Sequence, residues 1–456
     1  MRHLTISLTL TLALVGCSLE LTEPNGEVPK EYIFAQETES RYDSIPSKWW
    51  YIFRDSTLND LIDKALTNNK NLLSAIENIS IVRSSVATSR AAYLPSLEVE
   101  GAATKGNNPA DGTFYELSLT PQISWEVSLF GALENTSRAS RAEALSSEWG
   151  VRASALSLSC EVAKIYFSLL AAQQNLSIAQ HSYALRRDAT ALIDSMTRYG
   201  MGNSVAQEQA RSLTEQAKSD IFNYTRAFEQ YKLSLSLLMG EEPQKDIFVS
   251  DNTTLEPLTL NIPSGIPSDL LERRPDILQS RYTMLCNAAK VGIARAERFP
   301  SIELTALGGV ISEKIEGITS SKNFEWELSA SLTQPVFKWY SLKNTEKIAR
   351  YRYVQSTLTY REQILTALSE VEQALVAIST LDKQTLASRE VLRSNTKIAH
   401  LTESLYDNGL YNYLNVVDAR RELYSSQIAF NEMLTKRHIS YIELIKALGG
   451  GWQMRD

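Results

Sequence analysis

Few side chains in this sequence are spaced for chemistry, and those few suggest charge placement rather than bond-making. Leu414, Asp418 and Arg421 follow one another at steps of four and three, so a helix would bring them to one face. On spacing alone Asp418 also reads as an exposed acid near a helix start, where the macrodipole favours it. The three cysteines cannot all pair within one chain and the four histidines are scattered. Neither a disulfide framework nor a His/Cys metal site is evident, and no cofactor is implied. Glu98, Glu100, Glu116, Glu126, Glu303, Glu325 and Glu327 fall in alternating stretches, where scattered mid-strand acids make poor acid/base pairs. They suit a cation-tolerant lining or a merely solvated one. The net charge of −7, without a basic block, argues against a nucleic-acid partner.

The elements that would position these groups occur twice. Long helical patterns flank Asn408-Gly409, which reads as a hairpin between antiparallel helices, with Gly409 free to take the φ > 0 conformation that ends a helix. About two hundred residues earlier Arg198-Tyr199-Gly200-Met201-Gly202-Asn203 does the same. The first repeat spans 49–243: a helical region opened by Trp49-Trp50-Tyr51-Ile52-Phe53, strands at 96–101 and 114–130, a long helix, the hairpin and a return helix. The long helix runs from Ala132 to Thr197 with one interruption, at Gly150. After a Pro/Thr-rich connector, 244–267, the second repeat spans 268–448, with strands at 301–307 and 323–337 and a 449–456 tail behind it. Phe299-Pro300-Ser301-Ile302-Glu303-Leu304 echoes Leu94-Pro95-Ser96-Leu97-Glu98-Val99. Leu158, Val162, Ile165 and Leu169, and later Ile364, Leu368, Val371 and Leu375, form coiled-coil seams. At 1.5 Å per residue the first long helix would measure roughly 100 Å.

The N-terminus reads as an export signal, 1–16: Arg2 and His3 precede an apolar run from Leu4 to Val15, too short for a permanent span. It ends in Leu14-Val15-Gly16-Cys17, which resembles a bacterial lipobox, with Cys17 the lipidated first residue; an ordinary signal peptide with a chance cysteine is the alternative. The polar, aperiodic stretch behind it makes 17–48 an N-terminal arm. No later segment offers eighteen consecutive apolar residues, so a mature chain that crosses a membrane does so with strands. In the second strand Tyr115, Leu117, Leu119, Ile123, Trp125, Val127 and Leu129 alternate with polar residues. A soluble sandwich strand would alternate in the same way, but the length and the export signal favour a membrane strand. One chain then supplies four strands, and the smallest single-chain barrels need eight. Open edges cannot face lipid, so several chains must share one barrel: eight strands from two, twelve from three. Three leaves room for a passage.

The chain resembles the TolC-like outer membrane efflux proteins, nearest their NodT-type lipoprotein branch. The resemblance covers nearly the whole mature chain. It rests on Trp49-Trp50 with Phe53, Trp125 to Gly131, Ile266 to Asp276, Gly292 to Ala296 with Phe299-Pro300-Ser301, and Lys446 to Trp452. It implies a mostly α protein with membrane β: a trimeric channel-tunnel of one twelve-stranded barrel on a long antiparallel helical periplasmic tunnel. The implied function is the passive outer-membrane exit duct of a tripartite pump, opened by a periplasmic adaptor and an inner-membrane transporter, and not an enzyme. By motif position Leu414 and Asp418 match the periplasmic constriction, Arg421 a basic partner, and Arg211 stands where Asp418 does in the other repeat. Arg211 or Arg421 would tie Asp418 across helices. Tyr199, Gly202, Tyr406 and Gly409 resemble tip motifs that meet the adaptor, and turn chemistry accounts for them equally.

One departure stands out. Where the family carries Gly-Gly after Pro-x-Phe, this chain has Lys338-Trp339-Tyr340 after Pro335-Val336-Phe337. The aromatics either close that bend differently or join Trp125, Phe130 and Trp326 in a membrane-interface belt. Two other functions fit parts of the sequence. A coiled-coil surface lipoprotein or adhesin is disfavoured by the alternating strands, and an exported hydrolase by the lack of a paired catalytic motif. No nucleotide-binding loop or proton relay is evident.

Overall fold

A computed structural model describes residues 29, 32–34, 46–109, 112–243, 255, 270–314 and 321–451. Cys17, most of the arm, the connector apart from Leu255 and residues 452–456 lie outside the described residues. The elements are α1 (Ser56–Asn68), α2 (Lys70–Ala91), β1 (Ser96–Asn108), β2 (Gly112–Val127), α3 (Ala132–Arg198) and α4 (Ser204–Leu238). The order then repeats as α5 (Leu270–Arg273), α6 (Pro275–Ala296), β3 (Ser301–Ser312), β4 (Phe324–Thr333), α7 (Trp339–Asp407) and α8 (Tyr413–Ala447). They form two compact units, and α2, α3, α6 and α7 contribute to both.

The first unit holds Ile76–Trp149 and Leu278–Gln363. Its sheet is antiparallel in the order β1-β2-β3-β4, so among the described residues β1 and β4 each keep one unpaired edge. The register sorts the side chains cleanly. Trp125 lies opposite Leu304 and Leu304 opposite Ala330 on the apolar face, while Glu126 lies opposite Glu303 on the other. Leu97, Val99, Leu119, Ile123, Leu328 and Leu332 are all exposed within the protomer, as an apolar face meant for lipid would be. Below the sheet, Ala139 and Ala142 of α3 meet Cys286 and Ala289 of α6, and Arg83 of α2 pairs with Glu148 at 2.7 Å.

Several expected boundaries move. β1 runs to Asn108 and β3 to Ser312, through stretches that read as links, because a paired neighbour holds even Gly- and Asn-rich backbone extended. β2 starts at Gly112 and stops at Val127 instead of Leu129-Phe130, and β4 covers 324–333 instead of 323–337, Pro335 having no N–H for a ladder. Gly150 stays inside α3 and interrupts nothing.

The second unit holds Glu27–Ala75, Gly150–Ile277 and Ile364–Asp456. Its core explains the opening aromatic run. Trp49 to Phe53 makes one 3₁₀ turn that buries Trp49, Trp50 and Phe53, with Trp49 Nε1 donating to Ser159 Oγ at 3.2 Å. Asp55 caps α1 through Leu58 N and accepts the Tyr166 hydroxyl at 2.6 Å. Phe167 packs between Phe53 and His438, and burial holds that imidazole below its usual range, hence neutral.

The duplication recurs here as a matched closure at the same place in each repeat. Asn69 Nδ2 donates to Leu238 O (2.8 Å) and Arg274 Nη1 to Ala447 O (3.0 Å), each closing the end of its repeat's return helix. Arg274 is buried and also binds Asp276 twice (3.0 and 2.6 Å) and Glu370 (2.6 Å). Burial alone would raise the Asp276 carboxyl, but the guanidinium outweighs it and holds it below the usual range. Removing one partner of a buried pair strands the other. Arg274→Ala is therefore expected to cost about 3 kcal/mol, the low end for such losses because Glu370 keeps part of its carboxylate in water. The thermal midpoint of the detergent-solubilised protein checks this; an unchanged midpoint would remove Arg274 from the framework.

Candidate functional site

The residues singled out for gating and docking sit on two helix hairpins of the second unit, and local chemistry builds each the same way. α3 ends at Arg198 and α7 at Asp407; after five intervening residues α4 and α8 begin. Gly200 and Gly409 both take φ +74°, and the N–H after each reaches back five residues, Met201 to Met196 O and Leu410 to Leu405 O, both at 2.9 Å. Asn203 and Asn412 then cap the return helices, Asn412 in a reciprocal box with Asn415.

This geometry corrects the expected register. Gly200, not Gly202, is the counterpart of Gly409, so Arg211 corresponds to Arg420 and Asp418 to Gln209. Two glycines lie two residues apart in the first hairpin, and spacing alone matched the wrong one to Gly409. Gly202 serves another purpose: a Cβ there would lie 2.6 Å from Thr197 N.

Leu414, Asp418 and Arg421 do share an exposed face of α8, while Val416 and Ala419 face inward. The expected cross-helix tie is absent within the chain. Asp418 pairs with Arg421 one turn along its own helix at 3.3 Å, in the open. Arg211 pairs instead with Asp194 on α3 (3.3 Å) and with Glu208 (3.1 Å). Gln207 Nε2 donates to Asp194 at 2.7 Å and, with Arg211, holds that carboxyl below its usual range. Further links between helices are Arg420 to Glu403 (2.6 Å), and Tyr424 hydroxyl to Asp220 (3.2 Å) with the Arg186 guanidinium 5.6 Å from the Tyr424 ring centre.

At the hairpin tips Tyr199 is 77% exposed, but Tyr406 is half-buried against Tyr413, ring centres 5.9 Å apart. The exposed apolar side chains there are Met201, Val205, Leu410 and Tyr411 beside Tyr199 and Leu414. Sequence reasoning passed over these because it followed the glycines.

The interface aromatics of the first unit are all exposed, but at two levels. Trp326 lies opposite Gly308, four residues along β3 from Leu304, the partner of Trp125, which puts the two rings about 13 Å apart along the sheet. Trp125, whose Nε1 donates to Tyr93 O at 3.1 Å, and Phe130, stacked on Phe299 at 4.7 Å, mark the helix-side end. Trp339 and Tyr340 stand there too, at the start of α7. On the polar face the seven strand glutamates have no Lys or Arg among them, since Lys105 points to the other side, over the Tyr115 ring.

Known proteins match this arrangement over nearly its whole length. The outer membrane efflux protein family fits the chain twice, over residues 61–241 and 266–450, one match per repeat. The toluene efflux pump outer membrane protein TtgF of Pseudomonas putida is 31% identical over 98% of this chain and 96% of its own. The cation efflux system protein CusC of Escherichia coli is 30% identical over 97% of both. The open state of the Neisseria gonorrhoeae MtrE outer membrane channel superposes with a TM-score of 0.86 at 27% identity, covering 95% of this chain and 98% of that one. The chain belongs to the outer membrane efflux protein family. It is an outer membrane channel component of an efflux system.

Because the Gly202 site has no room for a methyl group, Gly202→Ala is expected to displace the first hairpin. The readout is protease cleavage between 199 and 203 in the folded protein, which should rise several-fold; an unchanged rate would refute the close approach.

Proposed function

We propose that three copies of this chain close one twelve-stranded barrel and form a passive exit duct with no chemical step of its own, lipid-anchored through Cys17. One observation carries this: a sheet with an apolar outer face and two unpaired edges, β1 and β4. Edges of that kind are tolerated in hydrocarbon only if another strand completes them. A second unpartnered surface supports the same assembly. Farther down α7 than its lysine-rich start, Val354, Leu358 and Leu365 line an exposed stripe, at spacings that suit a helix from a neighbouring copy.

In this reading the shared face of Leu414, Asp418 and Arg421 repeats three times around the axis, an apolar ring beside an acidic one at the periplasmic mouth. The exposed tips, Tyr199 and Met201 on one hairpin and Leu410 and Tyr411 on the other, dock a periplasmic adaptor; Gly202, Gly409 and Tyr406 shape the hairpins behind them. An inner-membrane transporter supplies the energy. Relatives named for toluene and for cations match this chain almost equally, at 31% and 30%, so cargo follows the pump rather than the duct.

Planar-bilayer recording of the purified mature protein tests the proposal. Small, mostly closed conductances are expected, with Asp418→Ala raising them several-fold. Its exposed pair with Arg421 carries at most about 0.5 kcal/mol, so stability should hardly change. In a salt gradient the acid-only polar face should move the reversal potential towards the cation side. Absence of pores would overturn the duct, and unaltered conductance in Asp418→Ala would remove Asp418 from the gate.

A further inference from the structure

The two strand-to-helix junctions of the first unit are copies that have diverged in charge. At the first, Gly131 turns the chain with φ +78°, and Ser128 Oγ caps the new helix through Leu133 N at 3.1 Å. Glu134 lies in the first turn of α3, where the macrodipole favours an acid. At the second, the residue in the place of Glu134 is Lys343, and the first turn of α7 holds no acid. Residues 130–143 are balanced, Arg138 and Arg141 against Glu134 and Glu143. Residues 339–352 carry Lys343, Lys347, Arg350 and Arg352 against Glu346 alone, with Lys338 just ahead of them.

Glu346 is already committed. It is buried between Arg298 and Arg350, the latter at 2.8 Å, and the Arg298 guanidinium carbon lies over the Trp339 ring, 4.3 Å from its centre. Lys338, Lys343 and Lys347 are exposed and have no ion-pair partner among the described residues. Around them stand Val336, Phe337, Trp339 and Tyr340, all exposed, beginning three residues after the last residue of β4. Cations concentrated at the positive end of a helix repel both one another and the helix dipole. Apolar and aromatic side chains beside them are poorly placed in water.

A single environment resolves both problems. The aromatic residues continue the lipid-facing surface of β4, and the lysines follow within about 12 Å of helix, short enough to snorkel back into a headgroup layer. We propose that Lys338, Lys343 and Lys347, with Trp339 and Tyr340, form a surface that binds anionic phospholipid headgroups at the helix-side face of the membrane. The first repeat, with Glu134 in the matching place, lacks it. Each trimer then carries three such surfaces, one per second repeat. This rests on the outer-membrane duct reading and adds the lipid class that the duct selects.

The test is competitive quenching of tryptophan fluorescence in the full mature protein, reconstituted in phosphatidylcholine vesicles doped with brominated phosphatidylglycerol or brominated phosphatidylcholine. Wild-type protein should prefer the anionic lipid, by about fivefold per lysine engaged, and 1 M salt should collapse that preference. The triple variant Lys338→Gln/Lys343→Gln/Lys347→Gln should lose it while conducting normally in the same vesicles. Equal quenching by the two lipids in wild type, or an undiminished preference in a conducting triple variant, would overturn the proposal. If the variant fails to assemble, the wild-type comparison and its salt response still decide. Vesicles that carry no current would instead condemn the duct, a separate failure.

Discussion

An N–H or C=O group left unpaired in hydrocarbon costs several kcal/mol, and this fold places two rows of such groups on the edges of its sheet. β1 runs 13 residues and β4 runs 10, each long enough to cross a bilayer when tilted. Both have neighbours on one side only. No rearrangement within the chain relieves this, because four strands are too few to close. The assembly is therefore dictated first by backbone, with side chains such as the α7 stripe refining it. Soluble sheets blunt their edges with charge or bulges. This sheet is bulge-free in register from Leu117–Ser312 to Val127–Ile302, as a strand awaiting a partner would be.

Duplication explains how one chain supplies both edges. The matched closures at Asn69 and Arg274 show the two repeats solving the same packing problem with different chemistry: a neutral amide in one, a charged fork with two carboxylates in the other. The junctions have diverged further. Once the copies occupied different places in one subunit, a substitution such as acid to lysine changed only one surface. The hairpins kept the same turn but not the same charges, with Asp418 on one and Gln209 in its place on the other.

Much of this was legible in the sequence where a single period governs. Alternation at residues 115–129 and the four-and-three seams gave the element types, and the Phe299 to Leu304 echo gave the repeat. Strand ends were not legible, because Gly101 to Asn108 looks like a linker until β2 lies beside it. The hairpin register was not legible either: Gly200 and Gly202 are equally plausible turn residues by type, and only backbone conformation separates them. Ion-pair partners such as Asp194 for Arg211 depend on which helices touch, which no one-dimensional pattern encodes. The buried role of Trp49-Trp50 and Phe53 needed the facing residues Ser159 and Phe167.

The claim that β1 of one copy completes β4 of another is open to direct chemical capture. Cysteines placed one at a time along β1, residues 97–103, would be combined with a fixed Ala330→Cys on β4 and oxidised in the outer membrane. Covalent trimers on a denaturing gel, at one or two registers and absent from either single mutant, are the predicted result. A ladder confined to monomers, with the two cysteines joined within one chain, would contradict the shared barrel.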